Sequence, residues 1–313
     1  METMSIYTVA KNYDPTHTTA LRNAFANAMK LRFVELCKVV RISVDTNDCF
    51  SLRPKHLAAF QMNPIPPEYF RFARSTEKIT AFMDWLQQQI NAGILQVGFG
   101  QQLGSGAEGA WTNLYVLDSY KRGVQRARNE LEKIGIKVPT INESGGFNVL
   151  FDAPFHMDRI GLIYTRVYAE LQGITAQMDT IISRILAQGL IDGDAPAFLA
   201  QKLVAAINGA GIGDLALTDK LGRFIPAMTR AMIMARTEVI RAHHLAMIQE
   251  YRNWGVEGVV VKGEWMTAGD DRVCPKCAEL EGQVFTLDVI ESMIPYHPQC
   301  RCIALPYIEQ VKK

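Results

Sequence analysis

A cluster of cysteine and histidine residues near the C-terminus constrains the fold more than any other part of this sequence. Cys274 and Cys277 form a C-x-x-C motif, and after a loop His297, Cys300 and Cys302 form an H-x-x-C-x-C motif. Two short-spaced ligand pairs separated by about 15 to 20 residues are typical of a closed structural zinc site. The sequence therefore predicts that the C-terminal segment folds around one zinc ion.

The spacing within each motif has a physical reason. A C-x-x-C turn can aim two thiolates at one point about 2.3 Å from each sulfur, and its backbone N–H groups stabilise their negative charge. Pro275 and Pro298 lie inside the two motifs. Because proline restricts the unfolded chain, these two residues reduce the entropy lost when the turns become ordered.

The two motifs offer five donors for the four positions of a tetrahedral site. His297 and Cys300 repeat the x-x spacing of the first pair, so we prefer them as partners of Cys274 and Cys277. Cys302 is the substitute for Cys300. The choice between these two cysteines stays open at the level of sequence.

Three other interpretations of the cysteines are less consistent with the chain. A thioredoxin-like redox pair needs an α/β pattern that the sequence lacks, and a disulfide framework needs export. The N-terminus shows no basic region followed by an apolar core, so we expect synthesis in the reducing cytoplasm. A catalytic zinc would need a nearby acid or base, for which the candidates are Asp270, Asp271, Glu279 and Glu281.

The composition excludes several classes of protein. Apolar residues make up 48% and charged residues 21% of the 313 residues, as in ordinary globular domains. The formal charge of +1 is too small to indicate a polyanion partner from the global balance. No stretch approaches the ~18 uninterrupted apolar residues of a membrane span, so no membrane partner is expected.

Most of the chain has the three-to-four-residue apolar period of amphipathic helices, and glycines, among them Gly173, separate the helical stretches. The expected helices are Thr16–Arg41, Ser75–Ala92, Thr112–Ile134, Arg159–Gln172, Thr175–Gln188, Ala195–Ile207 and Phe224–Trp254.

Two segments have β character, and two others are irregular. Val256–Thr267 is rich in β-branched residues and is expected to form a strand, and Val39–Val44 is a short β-compatible run. Residues 42–75 contain four prolines and are interpreted as a connector, while the glycine-rich passage Gly98–Trp111 is interpreted as a flexible turn.

The expected fold class is mainly α-helical, with a small C-terminal α+β zinc-binding module. We expect three consecutive domains. These are an N-terminal helical domain with irregular connectors at 1–150, a helical middle region at 151–235 and the zinc-binding module at 236–313.

The first helix carries a basic face that could meet phosphate. Five cations stand against one carboxylate, Glu35, which leaves a charge of five minus one, or +4. We prefer the interpretation that this is a solvated helix face, since no aromatic residues are interleaved for stacking on bases. The cations are Arg22, Lys30, Arg32, Lys38 and Arg41.

The segment Ala235–Gly255 is a second place where chemistry could reside, since it holds six ionisable residues within a few helical turns. An acid–base site or phosphate clamp is conceivable, but we prefer salt bridges that attach this helix to the zinc module. The two adjacent histidines point to different faces and cannot both bind one ion. The six residues are Arg236, Glu238, Arg241, His243, His244 and Glu250.

Several of these segments resemble the Mu F-like family of bacteriophage head-morphogenesis, or minor head, proteins. The segments are RTEVIRAHH, GVEGVVVKGEW, TAGDDRVCPKCAELEGQVF and IPYHPQCRCIALP, in the order and spacing of the family. The resemblance extends upstream to HMDRIGLIYTRVYAELQGITAQMD and, more weakly, to the opening DPTHTTALRNAFANAMKLRF.

The resemblance implies a structural minor head protein of a tailed phage, carried inside the virion and associated with the portal vertex. The implied partners are the portal protein and other head proteins. Contact of the basic helix face with packaged double-stranded DNA is a separate hypothesis that rests on its charge. No enzymatic activity and no small-molecule substrate are expected. The alternatives are a phage nuclease or transferase using Arg236, Glu238 and His243, and a zinc-dependent nucleic-acid-binding module.

Overall fold

A computed structural model describes residues 14–53, 75–97, 109–209, 225–254 and 260–309. The elements in these residues confirm the expected fold class, since long helices lead to a small C-terminal α+β module. The helices are α1 (Thr19–Arg41), which a π-helical turn (Ile42–Thr46) follows, α2 (Ser75–Gly93), α3 (Asn113–Lys133), α4 (Gly146–Phe151), α5 (Pro154–Asp192), α6 (Pro196–Asn208), α7 (Ala227–Asn253), α8 (Pro275–Ala278) and α9 (Leu287–Met293), and the strands are β1 (Val260–Met266), β2 (Val284–Thr286) and β3 (Ile303–Glu309).

The chain divides into two compact units that alternate along the sequence. The first contains Met1–Phe25, Gly98–Val167 and Ile233–Lys313, and the second contains Ala26–Val97 and Tyr168–Met232. The three consecutive domains expected from the sequence stay a prediction.

The helix at the centre of the chain differs from its prediction. Two helices were expected on either side of Gly173, but α5 runs unbroken from Pro154 to Asp192. An exposed glycine inside a helix costs only about 1 kcal/mol relative to alanine. The buried Leu171 and Ile174 continue the apolar stripe across this position, which explains why the helix does not end there.

The β-compatible run Val39–Val44 is also helical, so that prediction was wrong. Its residues form the end of α1 and the start of the π-helical turn, which Asn47 N closes by donating to the Ile42 carbonyl oxygen at 2.9 Å. Val40 and Val44 are buried on this helical stripe, and burial rather than β propensity decides their conformation. Parts of three predicted segments lie outside the described residues. These parts are residues 54–74 of the expected connector, 98–108 of the glycine-rich passage and 256–259 of the expected strand.

The three strands form an antiparallel sheet in the order β2-β1-β3. Strand β1 confirms the strand expected before the cysteine cluster, and its Lys262 lies opposite Thr286 of β2 and Tyr307 of β3. Helix α9 packs so closely on the sheet that a Cβ atom at Gly263 would lie 2.9 Å from Ile290 Cγ2. This glycine therefore allows the helix to approach the central strand.

The C-terminal module shares one buried apolar cluster with α3 and α7 of the first unit. The phenol of Tyr251 on α7 donates to the Ala304 carbonyl oxygen of β3 at 3.1 Å, and His244 Nε2 lies 3.0 Å from the Ile290 carbonyl oxygen of α9. Strands, ligand loops and helices of this unit therefore form one core. Its buried members are Ala127, Leu131, Ile136, Val138, Ile240, Met247, Ile248, Tyr251, Val261, Trp265, Met266, Cys277, Ile290, Ile294, Cys300, Cys302, Ile303, Ala304 and Leu305.

Helices α3 and α7 approach each other unusually closely at Gly123. A Cβ atom there would lie 2.3 Å from the His243 carbonyl oxygen and 2.7 Å from Ala246 Cβ. One turn away, Ser119 Oγ donates to the Val239 carbonyl oxygen at 2.6 Å. Only a residue without a side chain fits this crossing.

We expect Gly123→Ala to destabilise the protein by about 1–3 kcal/mol, the usual cost of overpacking a filled core. The matched control is Gly173→Ala on α5, where a Cβ atom has no neighbour within 4 Å. There the gain in helix propensity should stabilise by about 0.5–1 kcal/mol. Urea unfolding of both variants checks the prediction, and an equal response of the two would contradict it.

Candidate metal centre

The first ligand pair lies at the start of the short helix α8. Cys274 is the N-cap residue in extended conformation, and its Sγ accepts a hydrogen bond from Cys277 N at 3.4 Å. Pro275 follows at the first helical position, where its missing N–H is not needed. The local sequence thus turns both sulfur atoms to the same side.

The second ligand loop is a tight turn fixed to helix α7. Cys300 N donates to the His297 carbonyl oxygen at 3.1 Å, and Gln299 has the left-handed φ of +61°. Gln299 N also donates to Thr237 Oγ1 of α7 at 3.0 Å. His297 Nδ1 lies 2.9 Å from the Pro298 carbonyl oxygen, and if Nδ1 carries the proton, Nε2 is left to bind a metal.

The structure brings the five predicted donors together as two overlapping groups. Donor atoms of Cys274, Cys277 and His297 lie within 4.8 Å of one another, and so do those of Cys277, Cys300 and Cys302. Sulfur atoms bound to one zinc ion are about 3.8 Å apart, given the Zn–S distance of 2.3 Å and tetrahedral angles. Each group of three donors is therefore close enough to hold a metal ion, and Cys277 belongs to both groups.

The electrostatics of the thiols fit a cation. The pKa of the Cys300 thiol is lowered, first because Cys302 hydrogen-bonds to it. Burial raises the pKa of the Cys277 thiol, and the bond with Cys300 raises that of Cys302. A bound cation would favour the thiolate form of these cysteines and displace their protons.

The acidic residues considered for a catalytic zinc have structural contacts or lie at the surface. Asp270 accepts hydrogen bonds from both Nη atoms of Arg301, at 2.6 and 2.5 Å, which hold the pKa of its carboxyl well below the usual range. Glu281 Oε2 accepts from Thr267 N at 2.7 Å. Asp271 and Glu279 are exposed.

The ionisable residues of α7 bind neighbouring helices and the metal module. Glu238 is buried and accepts from Arg241 Nε at 3.1 Å. His243 is also buried, and burial lowers its pKa to about 3. His244, one of the six, contacts the module through the Ile290 carbonyl oxygen. Ion pairs to the module come from Arg252, which is outside the six and donates to Asp288 at 2.7 Å and to Glu291 at 2.8 Å.

A buried polar network in the first unit escaped the sequence interpretation. Glu250 of α7 accepts from Arg128 Nε of α3 at 2.7 Å and from Trp254 Nε1 at 3.0 Å. His156 Nε2 of α5 lies 3.3 Å from Glu250 Oε1, and its Nδ1 lies 2.9 Å from the hydroxyl of Tyr120. No sequence signal could connect them, because these residues come from three helices far apart in the chain.

The basic face of α1 is smaller than the sequence suggested. Arg22 is buried and pairs with Asp14 at 2.6 Å, and Arg32 donates to the Gly93 carbonyl oxygen and to Gln96. Asp14 also accepts from Thr16 N at 3.1 Å, as expected of a helix start signal. The exposed cations of the face are Lys30, Lys38 and Arg41.

Cys37 and Cys49 lie outside the metal-ligand motifs. Both are buried, and burial raises the pKa of their thiols to about 11 and about 12. The interpretation of Cys37 as a small hydrophobic residue on the apolar stripe of α1 is confirmed.

Comparison with known protein families gives a match that includes both ligand loops. Residues 180–305 match the family model described as Phage Mu protein F like protein, and the matched range contains all five donors. No curated protein and no solved structure gives a match. Within the described part of the chain, no helix is long and apolar enough to cross a membrane. Residues 180–305 of this chain are therefore similar to the Phage Mu protein F like family, the family that its sequence motifs indicated.

Proposed function

We propose that this protein is a structural minor head protein of a tailed bacteriophage, carried inside the virion and acting in head morphogenesis. The family match over residues 180–305 is the observation that supports it. Two residues of the alternative nuclease or transferase site, Glu238 and His243, are 1% and 2% exposed. Because a substrate could reach neither side chain in this conformation, we propose that the protein has no catalytic turnover.

We also propose that the cysteine cluster binds one zinc ion with a structural role. Cys277 belongs to both donor groups, Cys274 and His297 complete one of them, and Cys300 or Cys302 supplies the fourth ligand. Zinc would supply a fixed tetrahedral junction between the two ligand loops. The buried surroundings of Cys277, Cys300 and Cys302 support a closed site without an open position for water.

The proposed attachment to the portal uses the helices. Large apolar side chains with exposed surface, which helix-in-groove docking requires, occur mainly on helices preceding the metal module. Leu162 of α5 is 71% exposed and Leu31 of α1 is 67% exposed, whereas Val289 of the module is 49% exposed. In the described residues the helical examples are Leu31, Val34, Leu114, Val149, Phe155, Met157, Leu162, Ile191 and Phe198, and those of the module are Val284, Val289 and Tyr296.

Affinity capture of the portal protein of the same phage by the full-length chain tests this function. Fragments are unsuitable because the module shares its buried core with α3 and α7. We expect wild type to retain portal and Leu162→Glu or Leu31→Glu to weaken capture at least about tenfold, since each introduces a desolvated charge at the interface. Val289→Glu is the matched control on the module.

Two outcomes would contradict the proposal. Loss of capture only with Val289→Glu would move the portal site to the metal module. Absence of this protein from purified virions, measured by mass spectrometry, would contradict the head function itself.

A separate part of the proposal is contact between helix α1 and packaged DNA. The exposed cations Lys30, Lys38 and Arg41 of α1 exceed Glu35 by two charges. Phosphate contacts of this kind specify no bases and weaken steeply as salt rises. Contact with packaged DNA through this face would therefore be weak and without sequence preference.

A further inference from the structure

The two ligand loops of the metal centre are joined by a direct ion pair between residues that bind no metal. Asp270 lies four residues before Cys274, and Arg301 lies between Cys300 and Cys302. The guanidinium of Arg301 donates through both Nη atoms to the two carboxylate oxygens of Asp270, at 2.6 and 2.5 Å. The pair therefore joins the two loops at their base.

The surroundings of the pair favour a fixed geometry. The Asp270 side chain is only 4% exposed and that of Arg301 is 14% exposed. Two parallel hydrogen bonds between a planar guanidinium and a carboxylate fix orientation as well as distance. Asp270 also accepts from Arg272 Nη2 at 2.9 Å and from Arg272 N at 3.2 Å, which holds the turn preceding the first cysteine.

We propose that Asp270 and Arg301 are positioning residues for the metal centre, which hold the C-x-x-C loop and the H-x-x-C-x-C loop in register. This inference rests on the zinc site proposed above. Residues outside the ligand set that orient ligands typically contribute about 10- to 100-fold to metal affinity. The pair would reduce the entropy lost when zinc joins the loops, because part of their order exists before binding.

The test is zinc affinity of the full-length protein, measured by competition with a chromogenic chelator. We expect Asp270→Asn and Arg301→Lys each to weaken zinc binding by about 10- to 100-fold. Arg301→Lys keeps the charge but cannot form two parallel hydrogen bonds. The matched control is Asp271→Asn, which removes the same charge from the exposed neighbouring residue and should leave the affinity within about twofold.

A double-mutant cycle separates a joint role from two independent ones. If Asp270 and Arg301 act only through their mutual ion pair, the double variant Asp270→Asn/Arg301→Lys should lose no more zinc affinity than the more damaging single variant. Circular dichroism of each variant shows whether the helices remain folded.

Three outcomes would overturn the inference: unchanged affinity in both single variants, equal losses in Asp270→Asn and Asp271→Asn, or additive losses in the cycle. Failure of wild type to bind zinc would instead contradict the zinc proposal, and this inference with it. The portal-capture result is independent of all these outcomes.

Discussion

Replacing Cys277 with serine is expected to abolish zinc binding and to lower stability more than replacing either Cys300 or Cys302. Cys277 is the donor common to both groups in the cluster, and both proposed sets of four ligands, with Cys300 or with Cys302, include it. The two later cysteines can substitute for each other, and one of them should be dispensable. Structural zinc contributes folding free energy directly, so we expect a loss of at least several kcal/mol at neutral pH.

Metal analysis and thermal unfolding with and without a chelator measure this effect. Chelation should destabilise wild type and leave Cys277→Ser unchanged, because that variant has no metal to lose. Cys37→Ser is the control, as this buried thiol lies on α1 and outside the metal cluster. An equivalent of zinc retained by Cys277→Ser would show that the predicted ligand set is wrong.

Hydrogen exchange can show how far the loss of metal spreads. Cys277, Cys300 and Cys302 share a buried cluster with Leu131 of α3 and Tyr251 of α7. If the module folded independently of the helices, loss of the metal would leave the helices ordered. The shared core instead predicts faster exchange in β1 and β3 and also at the C-terminal end of α7.

Arg128→Met is expected to destabilise the protein by about 3–5 kcal/mol, because it leaves the buried charge of Glu250 without its main partner. Both side chains are nearly inaccessible, at 3% and 0% exposure. Combining this change with Glu250→Leu should recover most of the loss, since an apolar pair can replace a buried ion pair. Urea unfolding of the single and double variants measures both effects.

The control on the same helix is Arg122→Met, which removes an exposed pair with Asp118 and should change stability by less than about 1 kcal/mol. Equal destabilisation by Arg122→Met and Arg128→Met would contradict the prediction. So would a double variant less stable than Arg128→Met.

The stability gap between wild type and Arg128→Met should depend on pH. Burial raises the pKa of Glu250, but contacts with His156, Arg128 and Trp254 outweigh it, and the folded pKa lies below the ordinary value. Stability from a lowered carboxyl pKa is present above the unfolded pKa and is lost as the pH falls through the folded pKa. The gap should therefore narrow on acidification from about pH 7 to below about pH 4.

The sequence predicted most of the long helices because they depend on local spacing, and the proposed donor set rests on local spacing too. Local patterns alone predicted five helices and one strand, without information on distant residues. These elements are α1, α2, α3, α6, α7 and β1. The short helices α4, α8 and α9 and the strands β2 and β3 were not predicted. Their few residues carry too little periodicity, and packing and the ligand turns determine them.

Contacts between distant residues account for the remaining differences. Nothing near Asp270 in the sequence indicates Arg301, and nothing near Glu250 indicates Arg128 or His156. The burial of Arg22 could not be predicted either. The sequence of a helix does not show whether one of its cations is solvated or paired with a distant carboxylate. Charge counts along one helix therefore overestimated the surface available to phosphate.

The core shared by the metal module and two helices limits how this region can be exchanged between related genes. A chimaera that takes only residues 260–309 from a relative would place foreign strands against the native Leu131, Met247 and Tyr251. Such hybrids should fold poorly unless both sides of the cluster come from the same parent. A recombination junction before α3, or paired junctions around α3 and α7, would keep those sides together.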